Sequence, residues 1–172
     1  EQALGDVVMF AQCLPDLAAL GGRLALRCEP RLAALLSRSF PAVDVRGVDG
    51  PPWKGVARAD ADFSLAMGNL PEFFRGSEAA FRKEPRYLVT DEAQVERWRR
   101  RYAELGDGLK IGISWRGGGS LEEKVVRRST LLDWRPLVST AGVRFVSLQY
   151  GPRDTELAEL WSQAGLRVAD WP

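Results

Sequence analysis

Residues 24–45 are LALRCEPRLAALLSRSFPAVDV, in which a short strand, a helix and a second strand follow one another. Larger apolar residues recur at every second position from Leu24 to Cys28, which is the period of a strand. Pro30 suits the first position of a helix, and Val43-Asp-Val45 begins the next strand. This alternation at this spacing predicts a β-α-β unit with parallel strands.

The alternation continues on both sides of this stretch and predicts a doubly wound α/β protein. We expect helices from Asp6 to Gly21 with a kink at Pro15, over Asp91–Leu105 and over residues 154–164. We expect further strands over Phe63–Met67, Lys110–Trp115, Val143–Leu148 and Leu166–Ala169. Residues 69–90 are expected to form short helical turns and loops. Because the strand–helix pattern restarts at Lys110, we place a boundary at Gly106–Gly108 and expect two lobes, residues 1–106 and 107–172.

The composition is that of an ordinary globular protein, with 45% hydrophobic and 27% charged residues. The net charge of +1 gives no global field that would draw nucleic acid. We assign the run Arg97–Arg101 to the wet face of an amphipathic helix and Trp98 to its core side, and expect no nucleic-acid partner. No segment approaches the ~20 apolar residues of a membrane span, so we expect no transmembrane segment.

Histidine is absent from the chain, and there are two cysteines. Within this chain, that excludes serine–histidine and cysteine–histidine catalysis and any histidine-ligated metal. Cys13 and Cys28 are too few for a zinc ribbon or a disulfide scaffold, and both stand in apolar surroundings. We predict two buried thiols in a reducing cytosol, and therefore a cytoplasmic protein.

The two ends of the sequence suggest a piece of a longer protein. The chain begins at Glu1 rather than Met, without a visible signal peptide, and stops at Trp171-Pro172 just after an apolar run. We therefore expect further residues on both sides.

Two groups of motifs carry a family resemblance. Leu4-Gly-Asp-Val-Val-Met-Phe10, with a proline nine residues after the aspartate and Leu26-Arg-Cys-Glu-Pro-Arg-Leu32 beyond it, resembles the bacterial heptosyltransferase-like glycosyltransferases. Ile111-Gly-Ile-Ser-Trp-Arg-Gly117, Arg127-Arg-Ser-Thr130 and Phe145-Val-Ser-Leu-Gln149 are similar to the glycosyltransferase region that follows tetratricopeptide repeats in many bacterial proteins. The resemblance covers nearly the whole chain, and the order and spacing of the motifs give it its specificity.

The resemblance implies two Rossmann-like lobes of GT-B type that face each other across a cleft, without a metal or another cofactor. The first lobe would hold a glycan, lipid or protein acceptor, and the second would hold the nucleotide sugar. On this map the chain lacks its first strand and the latter half of the donor lobe, including an aspartate–threonine motif followed by a histidine. We therefore expect the chain alone to be inactive, and its incomplete sheet to favour pairing with a second copy.

The resemblance also assigns roles to individual residues. In the first lobe Asp6 would be the catalytic base, with Gly5 beside it on the acceptor side; from spacing alone, Asp6 is simply the N-cap of the first helix. The donor-binding residues implied are Trp115, Arg116, Gly117, Lys124, Arg127, Arg128, Ser129, Gln149 and Tyr150.

Each of these donor-side assignments has a structural alternative. Gly117-Gly-Gly119 is a phosphate-binding loop or a mobile surface loop, and it matches neither a dinucleotide nor a Walker motif. The basic side chains around it would clamp the leaving diphosphate or form a solvated basic face. Ser129 is expected at the start of a helix, where backbone N–H groups favour anions. Gln149 and Tyr150 follow a strand, so they either lie near the nucleotide base or form a plain turn.

Two other classes of function stay open. One is a transferase-like domain without activity that serves as a binding or scaffold module of a tetratricopeptide-repeat protein. The other is an unrelated Rossmann-type methyltransferase or dehydrogenase, which the missing glycine fingerprint disfavours.

Overall fold

The computed structural model describes residues 4–49, 61–81, 86–117 and 129–171. The chain divides into two compact units, residues 1–92 and 93–172. Each unit contains a pair of parallel strands together with helices, which confirms the predicted α/β class at that level.

The boundary between the units lies between Glu92 and Ala93, one helix earlier than the predicted boundary near residue 106. The predicted helix over Asp91–Leu105 is present as Glu92–Glu104, and nearly all of it groups with the second unit. Its Trp98 ring packs against Trp171 with a centroid distance of 5.6 Å, which explains this grouping.

Among the described residues, the first unit contains four helices, three short 3₁₀ turns, two strands and the first residue of a fifth helix. Within the described residues these are α1 Leu4–Phe10, a turn Ala11–Cys13, α2 Leu14–Ala19, β1 Leu24–Cys28, α3 Pro30–Ser39, β2 Val43–Gly47, a turn Met67–Asn69, α4 Leu70–Phe74, a turn Glu78–Ala80 and the start of α5 Glu92–Glu104. β1 and β2 pair in parallel with Leu24 opposite Val43, which confirms the predicted β-α-β unit. The turn Ala11–Cys13 interrupts the first helix just before Pro15, where a kink was predicted.

The core of the first unit lies against one face of its strand pair. Leu26 and Cys28 on β1 pack with Leu36 of α3 and with Cys13. Both cysteines are buried and neither is part of a disulfide, as predicted. The neighbouring strand residues Ala25, Arg27, Asp44 and Arg46 are exposed. Within the described residues, the helices therefore cover one face of this pair.

The second unit repeats the parallel arrangement. After α5 it contains β3 Leu109–Ile113, a 3₁₀ turn Leu131–Trp134, α6 Arg135–Val138, β4 Val143–Ser147 and α7 Asp154–Ala164. β3 and β4 pair in parallel with Ile113 opposite Ser147. Gly108, with φ of 108°, precedes β3 where a Cβ would collide with the carbonyl oxygen of Gly142, so glycine allows the two strands to begin side by side.

Three predictions about elements were wrong or only partly met. Phe63–Met67 is not a strand: Phe63 is 94% exposed, and its period-2 pattern finds no partner strand within the described residues. The predicted strand Leu166–Ala169 is reduced to a single bridge between Ala169 and Val146. Trp98 is not a core residue, because it packs at the surface with Tyr102 and Trp171 and stays 38% exposed.

None of the helices in the described parts of the chain is long and apolar enough to cross a membrane.

Candidate functional site

The candidate site is the edge of the second unit where β3 and β4 end. The strands are parallel, so the segments that follow them, residues 114–117 and 148–153, leave the sheet at the same edge. Leu148 N donates to Ile113 O at 2.8 Å and keeps the strands together up to this point. In open α/β sheets, this carboxyl edge is where ligands bind.

Gln149 connects the two segments. Its side chain is 6% exposed, and its Oε1 accepts hydrogen bonds from Trp115 N at 3.1 Å, Arg116 N at 2.9 Å and Ser114 Oγ at 3.2 Å. Its Nε2 donates to Tyr150 O at 3.1 Å. The amide group is thus turned into the protein, where it fixes the backbone after β3.

Glu156, in the first turn of α7, binds the side chains of the same segment. The Trp115 indole Nε1 donates to Glu156 Oε1 at 2.9 Å, and Arg116 Nη2 lies 3.0 Å from Glu156 Oε2. Arg116 Nη2 also donates to Pro152 O at 2.6 Å. Trp115 itself is buried. One carboxylate therefore anchors two adjacent side chains to the start of α7.

Ser129, the first described residue after residue 117, bonds to the segment that follows β3. Its Oγ donates to Trp115 O at 2.7 Å and accepts from Trp134 Nε1 at 2.8 Å. Ser129 immediately precedes Thr130, the N-cap of the 3₁₀ turn that leads into α6, as predicted. Its hydroxyl therefore links the end of β3 to the start of this helical segment.

The cap at Thr130 is a reciprocal capping box with Asp133. Thr130 N and Oγ1 donate to Asp133 Oδ2 at 2.8 and 2.7 Å, and Asp133 N donates back to Thr130 Oγ1 at 3.3 Å. The hydrogen bonds from Thr130 hold the pKa of the Asp133 carboxyl below its usual value. The cap holds Ser129 in place.

The sequence-predicted donor residues divide into three groups. The structure brings Trp115, Arg116, Ser129 and Gln149 together in one hydrogen-bonded cluster. Gly117 and Tyr150 lie at the same edge and are exposed. The predicted residues Lys124, Arg127 and Arg128, and most of the predicted glycine loop, lie outside the described residues.

Glu156 was not among the residues predicted from the sequence. It lies 41 positions from Trp115 and one helical turn before Leu160 on an amphipathic helix, where a glutamate is unremarkable. The available signal was Trp115 next to Arg116 at the end of a strand, because an indole N–H and a guanidinium can share one carboxylate as their acceptor.

Asp6 belongs to the first unit and is not a helix cap. α1 begins at Leu4, so Asp6 lies within the first turn in helical conformation, whereas a capping residue must be non-helical. Its carboxylate contributes to the helix only through the favourable N-terminal position. Its neighbour Gly5 faces open space: apart from its own helix and chain neighbours, no atom of the described residues lies within 4 Å of the position that a Cβ would occupy.

Two side chains, Arg75 and Tyr87, hold the segment that carries Asp6. Arg75 Nη2 binds Asp16 Oδ2 at 2.7 Å and Gln12 O at 3.2 Å, with the Arg75 side chain only 3% exposed. Tyr87 Oη donates to Val8 O at 2.7 Å, and burial raises the pKa of this phenol. Residues that follow β2 thus fix α1 and α2.

In the described parts of the chain, no group of three or more histidine, cysteine, aspartate or glutamate side chains is arranged to hold a metal ion.

Comparison with known proteins gives one curated relative. The chain is 37% identical, over 180 aligned positions, to Protein FlbA of Caulobacter vibrioides, and the match covers 98% of this chain. The match spans 30% of that relative's length. No family model matches the chain, and no solved structure matches it.

Proposed function

We propose that this chain is part of a two-lobed, GT-B-type glycosyltransferase that moves a sugar from a nucleotide-sugar donor to an acceptor hydroxyl without a metal ion. The observation that carries the proposal is the cluster of Trp115, Arg116, Ser129 and Gln149 at the carboxyl edge of β3 and β4. The family resemblance had assigned these residues to the donor. Their convergence at the ligand-binding edge of a parallel sheet supports that assignment.

The chemistry of the cluster suits a departing diphosphate. Negative charge develops on the nucleoside diphosphate as the bond to the sugar breaks, and a fixed guanidinium stabilises that charge without a metal. Arg116 is anchored by backbone and side-chain contacts, so its charge is already in place at this edge. Lys124, Arg127 and Arg128 stay predicted partners in this role.

The acceptor side of the proposal rests on Asp6. A carboxylate in this position could accept the hydroxyl proton as the acceptor attacks. The clamps of Arg75 and Tyr87 on α1 and α2 would give such a base a fixed position.

The test uses the longer protein that contains this sequence. Release of nucleoside diphosphate is measured with a panel of nucleotide sugars, for the unaltered protein and for the Arg116→Met variant. We expect turnover with at least one donor and a loss of at least tenfold in kcat/KM in the variant. No turnover with any donor and acceptor mixture would contradict the proposal.

One observation favours a second candidate, a transferase-like binding module without activity. Gln149 and Ser129 both direct their polar atoms to other groups of the protein, most of them backbone, as purely structural residues do. This candidate predicts that the longer protein binds no nucleotide sugar, and that Arg116→Met leaves its interactions with other proteins unchanged.

A further inference from the structure

The nitrogen of Arg116 that would bind an anion is already occupied by groups of the chain itself. A guanidinium binds phosphate oxygens best through two parallel N–H groups, either along its side edge, Nε with Nη2, or across its end, Nη1 with Nη2. Both edges include Nη2. In this chain Nη2 already faces Glu156 Oε2 at 3.0 Å and Pro152 O at 2.6 Å. Neither bidentate edge is therefore open.

The remaining nitrogen on the side edge is unsatisfied. Arg116 Nε is buried and has no hydrogen-bond partner among the described residues. Buried polar atoms in native proteins are nearly always paired, so an orphaned N–H next to an occupied Nη2 suggests that the observed pairing is not the only one. An oxyanion on this edge would satisfy Nε and replace Glu156 at Nη2.

Glu156 can give up this contact without losing its position. Its second oxygen, Oε1, is held by the Trp115 indole at 2.9 Å, and the residue lies in the first turn of α7. The Arg116 and Glu156 side chains are 27% and 22% exposed, so solvent reaches the pair. Trp115 thus keeps Glu156 in place in both states.

We propose that Glu156 is the internal counter-ion of an anion site at Arg116, and that a phosphate or diphosphate group binds by displacing Glu156 from Nη2. The inference rests on the proposed donor-binding role of Arg116, and it adds Glu156 as the residue that sets the affinity.

Electrostatics predicts whether loss of the Glu156 charge raises or lowers the affinity for an anion. Removing a negative charge beside a bound diphosphate strengthens binding, whereas the orientation lost by a partly exposed arginine is a smaller effect. We therefore expect Glu156→Gln to bind inorganic pyrophosphate at least tenfold more tightly than the unaltered chain, measured by calorimetric titration at low ionic strength.

Glu159→Gln is the matched control, because it removes the same charge from the exposed face of the same helix. It should change the affinity less than twofold. The double variant Glu156→Gln, Arg116→Met should lose the gain. A circular dichroism spectrum confirms that each variant is folded. Should Glu156→Gln fail to fold, Glu156→Asp draws the carboxylate back by one methylene, and about threefold tighter binding is expected.

The inference is overturned if Glu156→Gln, or Glu156→Asp in its place, binds pyrophosphate no more tightly than Glu159→Gln, or if the gain survives Arg116→Met. These outcomes are distinct from failure of the proposed function. A tighter Glu156→Gln variant beside a longer protein that never turns over a nucleotide sugar would leave the anion site standing and remove the transferase. Turnover without a gain in Glu156→Gln would do the reverse.

Discussion

The side-chain oxygen of Gln149 lies 2.9 Å from the backbone nitrogen of Arg116, so the segment after β4 holds the segment after β3. The same oxygen accepts from Trp115 N and Ser114 Oγ. Three donors thus depend on one nearly buried acceptor.

Gln149→Leu should therefore destabilise the second unit. The substitution keeps the volume but leaves these donors without their acceptor, and we expect the free energy of unfolding to fall by about 2–3 kcal/mol. Urea unfolding followed by tryptophan fluorescence measures this unit, because all tryptophans except Trp53 lie in residues 93–172.

Two controls show whether the loss of stability is specific to the Gln149 amide or follows any substitution at this edge of the sheet. Gln149→Glu keeps an acceptor and should lose less than the leucine variant. Tyr150→Phe changes an exposed side chain and should stay within about 0.5 kcal/mol of the parent. A leucine variant as stable as Tyr150→Phe would show that Gln149 is not the anchor of this edge.

Asp16→Ala tests the clamp on the segment that carries Asp6. Arg75 is 3% exposed, and the substitution would leave its buried guanidinium without this carboxylate. Loss of one partner from a buried pair costs about 3–5 kcal/mol, and exposure of Asp16 at 25% places the expected value near the lower end. Hydrogen–deuterium exchange in residues 4–49 should accelerate accordingly.

The exposed pair Asp44–Arg46 in the same unit, at 2.6 Å, provides the comparison. Arg46→Met should change stability by less than about 1 kcal/mol, because solvent screens an exposed pair. Equal exchange rates in the two variants would contradict a structural role of the Arg75 clamp.

The capping box predicts a loss of stability in acid. The pKa of Asp133 is lowered in the folded state by hydrogen bonds from Thr130. A lowered carboxyl pKa stabilises the fold above the unfolded value of ~3.9, and the contribution disappears as the pH falls through the lower folded value. The urea midpoint of the second unit should therefore drop below pH ~4.

Two variants identify the group responsible. Asp133→Asn keeps a capping side chain but cannot titrate, so part of the acid-dependent drop should vanish. Thr130→Val removes the side-chain hydrogen bond and should reduce the drop less, because the bond from the Thr130 backbone remains. An unchanged pH profile in Asp133→Asn would rule out this carboxylate as a source of the acid sensitivity.

Short-range sequence patterns predicted the helices and strands whose own residues favour that structure. Pro30 at the first helical position and the alternation from Leu24 to Cys28 are short-range features. The strand was predicted at the bounds that the structure shows, and the helix at its observed first residue. Phe63–Met67 has the same alternation but is not a strand, because a strand also needs a neighbour to bond to. The alternation of apolar residues cannot reveal a missing partner.

Of the candidate site, only the residues that lie in the family-like motifs were predicted from the sequence. Trp115, Arg116, Ser129 and Gln149 were predicted, and the structure places them in one cluster. Glu156 was not, since its link to Trp115 spans 41 positions and arises from the packing of α7. Trp98 failed for a related reason: its helical period suits a core, but its observed ring partners are Tyr102 and Trp171 at the surface.

The last prediction concerns Asp6 in the longer protein, supposing that it is an active transferase. If Asp6 takes the acceptor proton as the bond forms, Asp6→Asn should lower kcat by ~10²–10⁴-fold and leave donor affinity nearly unchanged. Arg128→Ala should do the reverse and weaken nucleoside diphosphate binding by roughly 1.5–3 kcal/mol, the contribution of a charge-assisted hydrogen bond. Turnover and calorimetric binding are measured on the same preparations.

The folding of Asp6→Asn is not at risk from a lost cap, because Asp6 lies inside the first turn of α1. The neutral amide gives up only the favourable interaction of a carboxylate with the helix N-terminus, about 0.3–1 kcal/mol. Glu72→Gln, an exposed change in the first turn of α4, removes one negative charge from the same unit and should retain full activity. If Asp6→Asn is as active as Glu72→Gln, Asp6 is not the base, and its carboxylate serves only the N-terminal turn of α1.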